Sequence, residues 1–199
     1  MLNNYTINPL FSSPVIKMNI EENTDELKYA KSVKEYSNMR ILENHPKIND
    51  ILLYKFKIIA EEALGYHEKE YFITTSWITA TTKGERSHQH NHRNSFWSGV
   101  YYFQDEYPKG TAPIQFANPT AQMWDVFYRS PDLKNPNEIS SSYWNVYPQP
   151  KQLLFFPSYL KHGIMLHEID NVRRSLAFNI MPLGVWGDLD STYDSNWTL

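Results

Sequence analysis

The stretch that most limits what this chain can become is Ser87-His88-Gln89-His90-Asn91-His92, which runs on through Arg93 and Asn94 into Phe96-Trp97-Ser98-Gly99-Val100-Tyr101-Tyr102-Phe103. Three of the chain's seven histidines stand here at every second position. In an extended strand, alternate side chains share one face, so His88, His90 and His92 can offer imidazole nitrogens to one metal ion. A helix would spread them around its circumference, because positions two apart do not face each other. The aromatic and β-branched residues that follow are strand formers. The chain is expected to be mainly β and to carry a metal on a strand.

The rest of the composition narrows the metal. There are no cysteines, which removes disulfides, thiolate catalysis, zinc fingers and iron–sulfur clusters together. Nitrogen and oxygen ligands remain, and these suit zinc, copper, iron or manganese. A formal net charge of −3 with no basic run argues against nucleic acid or a membrane surface as partner. The first residues, Met1 to Pro9, have no basic region and no apolar run of signal-peptide length. No segment approaches the roughly 20 apolar residues of a membrane span. A soluble, intracellular, cytoplasmic protein is expected. Its 199 residues suit a single domain spanning 1–199.

Along the chain, residues 10–20 alternate as an opening strand. Asn23 and Glu26 form a capping-box-like pair before Leu27, Ala30 and Val33, which predicts a first helix. Pro46 opens a second helix, with Ile48, Ile51, Leu52, Phe56, Ile59 and Ala63 as its apolar stripe and Gly65 as its stop. Both helices are expected to pack outside a sheet. Strands follow at Tyr71–Thr82, Phe96–Gln104, Pro113–Phe116, Tyr143–Tyr147, Gln152–Phe156, Gly163–His167 and Arg173–Met181, and Asp170-Asn171 reads as a hairpin turn between the last two. Residues 118–142 read as a long loop, either disordered or serving as a lid or binding loop, and 183–199 as an irregular tail. Short strands with turns between them suggest a jelly roll or β-sandwich.

Downstream, Phe155-Phe156-Pro157-Ser158-Tyr159-Leu160-Lys161-His162 places a fourth histidine just after an apolar strand. Arg173-Arg174-Ser175-Leu176-Ala177-Phe178-Asn179 comes next. On that strand Arg173, Ser175, Ala177 and Asn179 share one face, with Arg174, Leu176 and Phe178 on the other. Arg173 beside Ser175 suits a carboxylate, which a guanidinium grips with two parallel hydrogen bonds. Small Ser175 and Ala177 put that face toward the pocket. A one-residue slip would exchange Arg173 for Arg174, which otherwise is expected in solvent. His67 and His167 read as surface or hairpin residues.

In order and spacing, these motifs resemble the iron(II)/2-oxoglutarate-dependent dioxygenases, and most closely a small prolyl-hydroxylase-like branch. The resemblance spans roughly residues 75–182. It implies a double-stranded β-helix, the cupin-like jelly roll, with the metal and cosubstrate core over about 71–182. It further implies Fe(II), 2-oxoglutarate and O2, with His90, His92 and His162 as metal ligands. Arg173 and Ser175 would hold the far carboxylate of 2-oxoglutarate, with Tyr102 a third contact. The commoner motif has Asp or Glu where His92 stands. Taking His88 and His90 as the pair is the alternative. The implied reaction is hydroxylation of a small-molecule or peptidyl substrate, a prolyl or other amino-acid residue among them, by a protein for which a homodimer is one arrangement. The rival is a non-oxidative cupin-like zinc or manganese isomerase or hydrolase with a three-histidine site.

Overall fold

The computed structural model describes residues 12–30, 39–120 and 134–195. Ten strands lie within them: β1 (Ile16–Asn19), β2 (Tyr71–Thr81), β3 (Trp97–Tyr101), β4 (Ile114–Ala117), β5 (Tyr143–Val146), β6 (Gln152–Pro157), β7 (His162–Ile164), β8 (Arg173–Pro182), β9 (Gly184–Trp186) and β10 (Tyr193–Ser195). A five-stranded antiparallel sheet has the order β1-β6-β3-β8-β2, and a three-stranded one the order β5-β4-β7. One apolar cluster takes Val100, Leu154 and Phe156 from the larger sheet and Ile114, Phe116 and Val146 from the smaller. Phe116 meets Phe156 edge to face at 5.0 Å across it. Two facing antiparallel sheets of this kind form a jelly roll.

The other face of the large sheet is covered by α1 (Pro46–Ile58). Pro46 sits in its first turn, where the missing N–H costs nothing. Ile48, Leu52 and Phe56 are fully buried against Trp97, Phe155, Leu176 and Phe178. β3 is therefore covered on both faces, and all five of its residues are buried. The helix continues as a π turn, Ile59–Ala63. That wider turn rotates the stripe, so Ala60 is buried and Ala63, expected on the apolar face, is exposed. Gly65, at φ 71°, ends it.

Only one α-helix is found among the described residues. The first expected helix is reduced to a 3-10 turn, Asp25–Tyr29, and Val33 lies outside the described residues. Tertiary contacts take the groups that would extend the turn. Thr24 Oγ1 is hydrogen-bonded to Tyr101 Oη at 2.7 Å. The carbonyls of Lys28 and Ala30 accept from the Arg174 guanidinium.

Two more expectations change. β7 and β8 are not a hairpin, because they belong to different sheets and residues 165–172 cross between them. The tail is not irregular throughout: β9 and β10 pair Trp186 with Tyr193 and Gly184 with Ser195. Residues 1–11, which include the start of the opening strand, and 121–133 of the expected lid loop lie outside the described residues.

Candidate active site

β2 and β8 pair over most of their length, with Thr79 opposite Ser175 and Thr81 opposite Arg173. That register turns Arg173, Ser175 and Ala177 into a cavity of about 170 Å³ between the sheets. His90, His92 and His162 lie in the same cavity, as do Trp77, Thr79 and Ile164.

The histidines come from two antiparallel segments. His90 and His162 exchange backbone hydrogen bonds at 2.9 Å in both directions, and His92 N–H donates to Ser158 O at 2.9 Å. Farther along, Ser87 N–H donates to Ile164 O at 3.0 Å. Three steps on one segment therefore match two on the other, which is a β-bulge. The bulge falls at His88 and Gln89 and turns His88 out to solvent. It also brings the backbone against Gly163, where a Cβ would stand 3.0 Å from His88 O and 3.1 Å from Ser87 O. His88 is thus outside the cluster, while one ring nitrogen each of His90, His92 and His162 lie within 4.8 Å of one another.

Two of the rings are aimed by the backbone. His90 Nδ1 lies 2.8 Å from His88 O and His162 Nδ1 lies 2.9 Å from Leu160 O. A carbonyl can only accept, so each Nδ1 carries the proton and each Nε2 keeps its lone pair for a metal. Ligating histidines are ordinarily held in this way. Among the described residues His92 has no such partner; its ring meets Trp77 edge-on at 5.8 Å. Burial lowers the pKa of His92 to about 4, assisted by the neighbouring His90. Burial likewise takes His162 to about 4, against the Leu160 carbonyl, which favours its charged form. Both imidazoles are neutral at pH 7, the state that binds metals. Three imidazole nitrogens are a donor set that a ferrous ion accepts, as do other first-row divalent ions, and they fit such an ion here.

The far side of the cavity belongs to Arg173, which is 1% exposed. Its Nε–H donates to Ala112 O at 3.0 Å, one terminal nitrogen to Ser175 Oγ at 3.2 Å, and the other to Tyr102 Oη at 3.0 Å. Ser175 Oγ is also 2.7 Å from Thr79 Oγ1. Burial pushes the Tyr102 hydroxyl up, opposed by the adjacent guanidinium, so it stays a neutral phenol. All three partners of Arg173 are neutral, and no carboxylate lines the cavity among the described residues. A guanidinium has five N–H donors. One on each terminal nitrogen has no partner among the described residues.

Arg174 is not solvated as expected. It is half-buried over the Phe103 ring, 5.4 Å from its centroid, where it ties down residues 28–30. His167 is not at the surface either; it is fully buried. His67 is exposed as expected. Sequence reasoning missed Thr79, Gly163 and His167. The strand pairing that faces Thr79 with Ser175 carries no local mark, although Gly163 directly after His162 was a visible hint of close backbone approach.

A jelly roll whose interior joins three histidines to a buried arginine is the architecture of a metal-dependent enzyme with an anionic ligand. The chain belongs to the family described as "Putative 2OG-Fe(II) oxygenase", which it matches over residues 75–179, more than half its length. Enzymes of this family use Fe(II), 2-oxoglutarate and O2. Among curated proteins no sequence matches. Solved structures with TM-scores above 0.5 share the fold at low identity. HygX from Streptomyces hygroscopicus, with nickel, 2-oxoglutarate and hygromycin B bound, is 9% identical at a TM-score of 0.57, covering 85% of this chain and 83% of that one. EctD from S. alaskensis with bound Fe is 11% identical at a TM-score of 0.57, covering 84% and 72%. An oxidoreductase of the 2OG-Fe(II) oxygenase family from Burkholderia pseudomallei is 13% identical at a TM-score of 0.49, covering 75% of this chain, which spans 64% of that one. No helix among the described residues is long and apolar enough to cross a membrane.

Proposed function

We propose that this protein is a hydroxylase in which His90, His92 and His162 hold one ferrous ion while Arg173, Ser175 and Tyr102 hold the far carboxylate of 2-oxoglutarate. The observation that carries the reading is the buried Arg173. Its charge has only neutral partners, and one N–H on each terminal nitrogen remains for a carboxylate. Burying an uncompensated charge is costly, and a dianionic cosubstrate offsets that cost. The zinc or manganese isomerase alternative has no use for such a clamp.

Bound at the three histidines, the iron supplies oxygen activation and the oxidation itself. The chain's part is to bind, aim and keep dry. His88 O and Leu160 O fix the tautomers of His90 and His162. Tyr102 and Ser175 hold the Arg173 fork open along one direction. Overall, 2-oxoglutarate, O2 and a C–H bond yield succinate, CO2 and an alcohol, with one oxygen atom entering each of succinate and product. The substrate is a small molecule or peptidyl group, with a prolyl or other amino-acid residue in view, bound by a single cytoplasmic domain. Trp77 and Ile164 on the cavity wall favour an apolar C–H group over a charged one.

Succinate release from 2-oxoglutarate with Fe(II) and ascorbate tests this. Turnover is expected in the wild type and a fall to background in both His162→Ala and Arg173→Ala. Equal turnover in Arg173→Ala would remove the cosubstrate assignment.

A further inference from the structure

We infer that His167 is a positioning residue for the cosubstrate: its ring fixes the Ala112 backbone, whose carbonyl fixes the Arg173 guanidinium. The inference rests on the reading of Arg173 given under the proposed function.

His167 is fully buried, and both of its ring nitrogens are occupied. The N–H of Ala112 donates to Nδ1 at 3.2 Å. Nδ1 therefore carries a lone pair and the proton sits on Nε2, which donates to Asn171 O at 2.9 Å. The ring is locked in one tautomer by two backbone groups. Its own backbone is pinned as well. His167 N–H donates to Glu85 O at 2.9 Å, and Gly84 N–H donates to His167 O at 2.7 Å.

Ala112 is the link. It is 2% exposed, and its carbonyl accepts the Arg173 Nε–H at 3.0 Å. A guanidinium is a rigid plane, so holding Nε sets the direction of the two terminal N–H bonds that remain for a carboxylate. Ala112 precedes β4 and belongs to no strand, while His167 lies on the segment that crosses between the sheets. At the Ala112 N–H the imidazole takes the place of a backbone acceptor. Bidentate capture depends on orientation, so loss of this link should cost cosubstrate binding without touching the histidine cluster.

The test is calorimetric titration of 2-oxoglutarate into the Ni(II)-loaded full chain, with Ni(II) titrated separately into the metal-free chain. Three variants are compared. In His167→Asn the amide oxygen can stand where Nδ1 stands and accept from Ala112. In His167→Gln the amide reaches toward Asn171 and leaves the Ala112 N–H unpaired. His167→Ala removes both contacts. The expected loss of 2-oxoglutarate affinity is roughly 10–100-fold in the Gln and Ala variants, the scale for an orienting partner. The Asn variant should stay within about threefold of wild type, with Ni(II) affinity unchanged throughout. A purely structural role would make affinity follow melting temperature whichever amide is present. If the Ala variant does not fold, the Asn and Gln pair still decides. Equal 2-oxoglutarate affinity in those two, or equal losses for Ni(II) and 2-oxoglutarate, overturns the inference alone. A wild type that binds Ni(II) but no 2-oxoglutarate overturns it together with the reading of Arg173.

Discussion

Two arginines adjacent in sequence have separate tasks, because a strand sends them to opposite faces. Arg173 points into the cavity and Arg174 lies over Phe103 with its guanidinium on the carbonyls of Lys28 and Ala30. Arg174→Ala should lower stability by about 0.5–1.5 kcal/mol, the scale for losing hydrogen bonds to half-buried carbonyls, and leave 2-oxoglutarate affinity unchanged. Urea melts together with calorimetry check both halves, and a loss of cosubstrate binding would contradict the division. The histidines supply a pH prediction. His92 and His162 titrate near pH 4 in the folded chain, below the ordinary histidine value of 6.5. Between about pH 6.5 and 4 the unfolded chain thus binds more protons, so the stability of the metal-free protein is full above that window and falls as pH drops through it. Thermal melts of metal-free protein at pH 7, 6 and 5 should show this decline. His162→Ala should flatten it, and an unchanged slope in that variant would count against a neutral, buried His162.

The strands were legible where alternation is local and illegible where pairing is remote. β2, β6 and β8 could be read from β-branched and aromatic runs. The placement of Arg173, Ser175 and Ala177 on one face follows from period 2 alone. Period 2 grouped His88, His90 and His92, and only the family resemblance joined His162 to the set; the structure brings ring nitrogens of His90, His92 and His162 together. His88 shares their parity and still leaves the cluster, because the bulge opposite Gly163 breaks that parity. The turn-like Asp170-Asn171 concealed a crossing between sheets, since turn residues do not say which strand a chain joins next. The 3-10 turn at Asp25–Tyr29 replaced a helix because Thr24 and the carbonyls of residues 28 and 30 are held by distant partners. Two glycines carry predictions at this scale. In Gly163→Ala the new Cβ presses on His88 O, the group that aims the His90 ring. Ni(II) affinity should fall by roughly tenfold or more, and an unchanged titration would mean the bulge can relax. In Gly99→Ala the Cβ would collide with the Phe178 ring, which is fully buried. Overpacking there should cost about 1–3 kcal/mol in urea unfolding.

Across the whole molecule, each sheet brings part of the site, so ligand and fold are linked. The large sheet carries Arg173, Ser175 and the neighbouring Tyr102; the small one carries His162 and the pairing that holds His90. A ligand bound only by the folded chain stabilises it, by about 2.7 kcal/mol when free ligand is 100 times its Kd. Ni(II) should therefore raise the melting temperature, and 2-oxoglutarate should raise it further. One cavity with metal ligands at one end and a carboxylate clamp at the other is the central claim, and its most direct measurement is calorimetric titration of 2-oxoglutarate into Ni(II)-loaded wild type and Arg173→Gln. The account predicts one site per chain in the wild type. It also predicts a loss of about 2–5 kcal/mol in the variant, the scale for truncating one partner of a buried charge pair, with Ni(II) still bound. Equal affinity in the two proteins would contradict it.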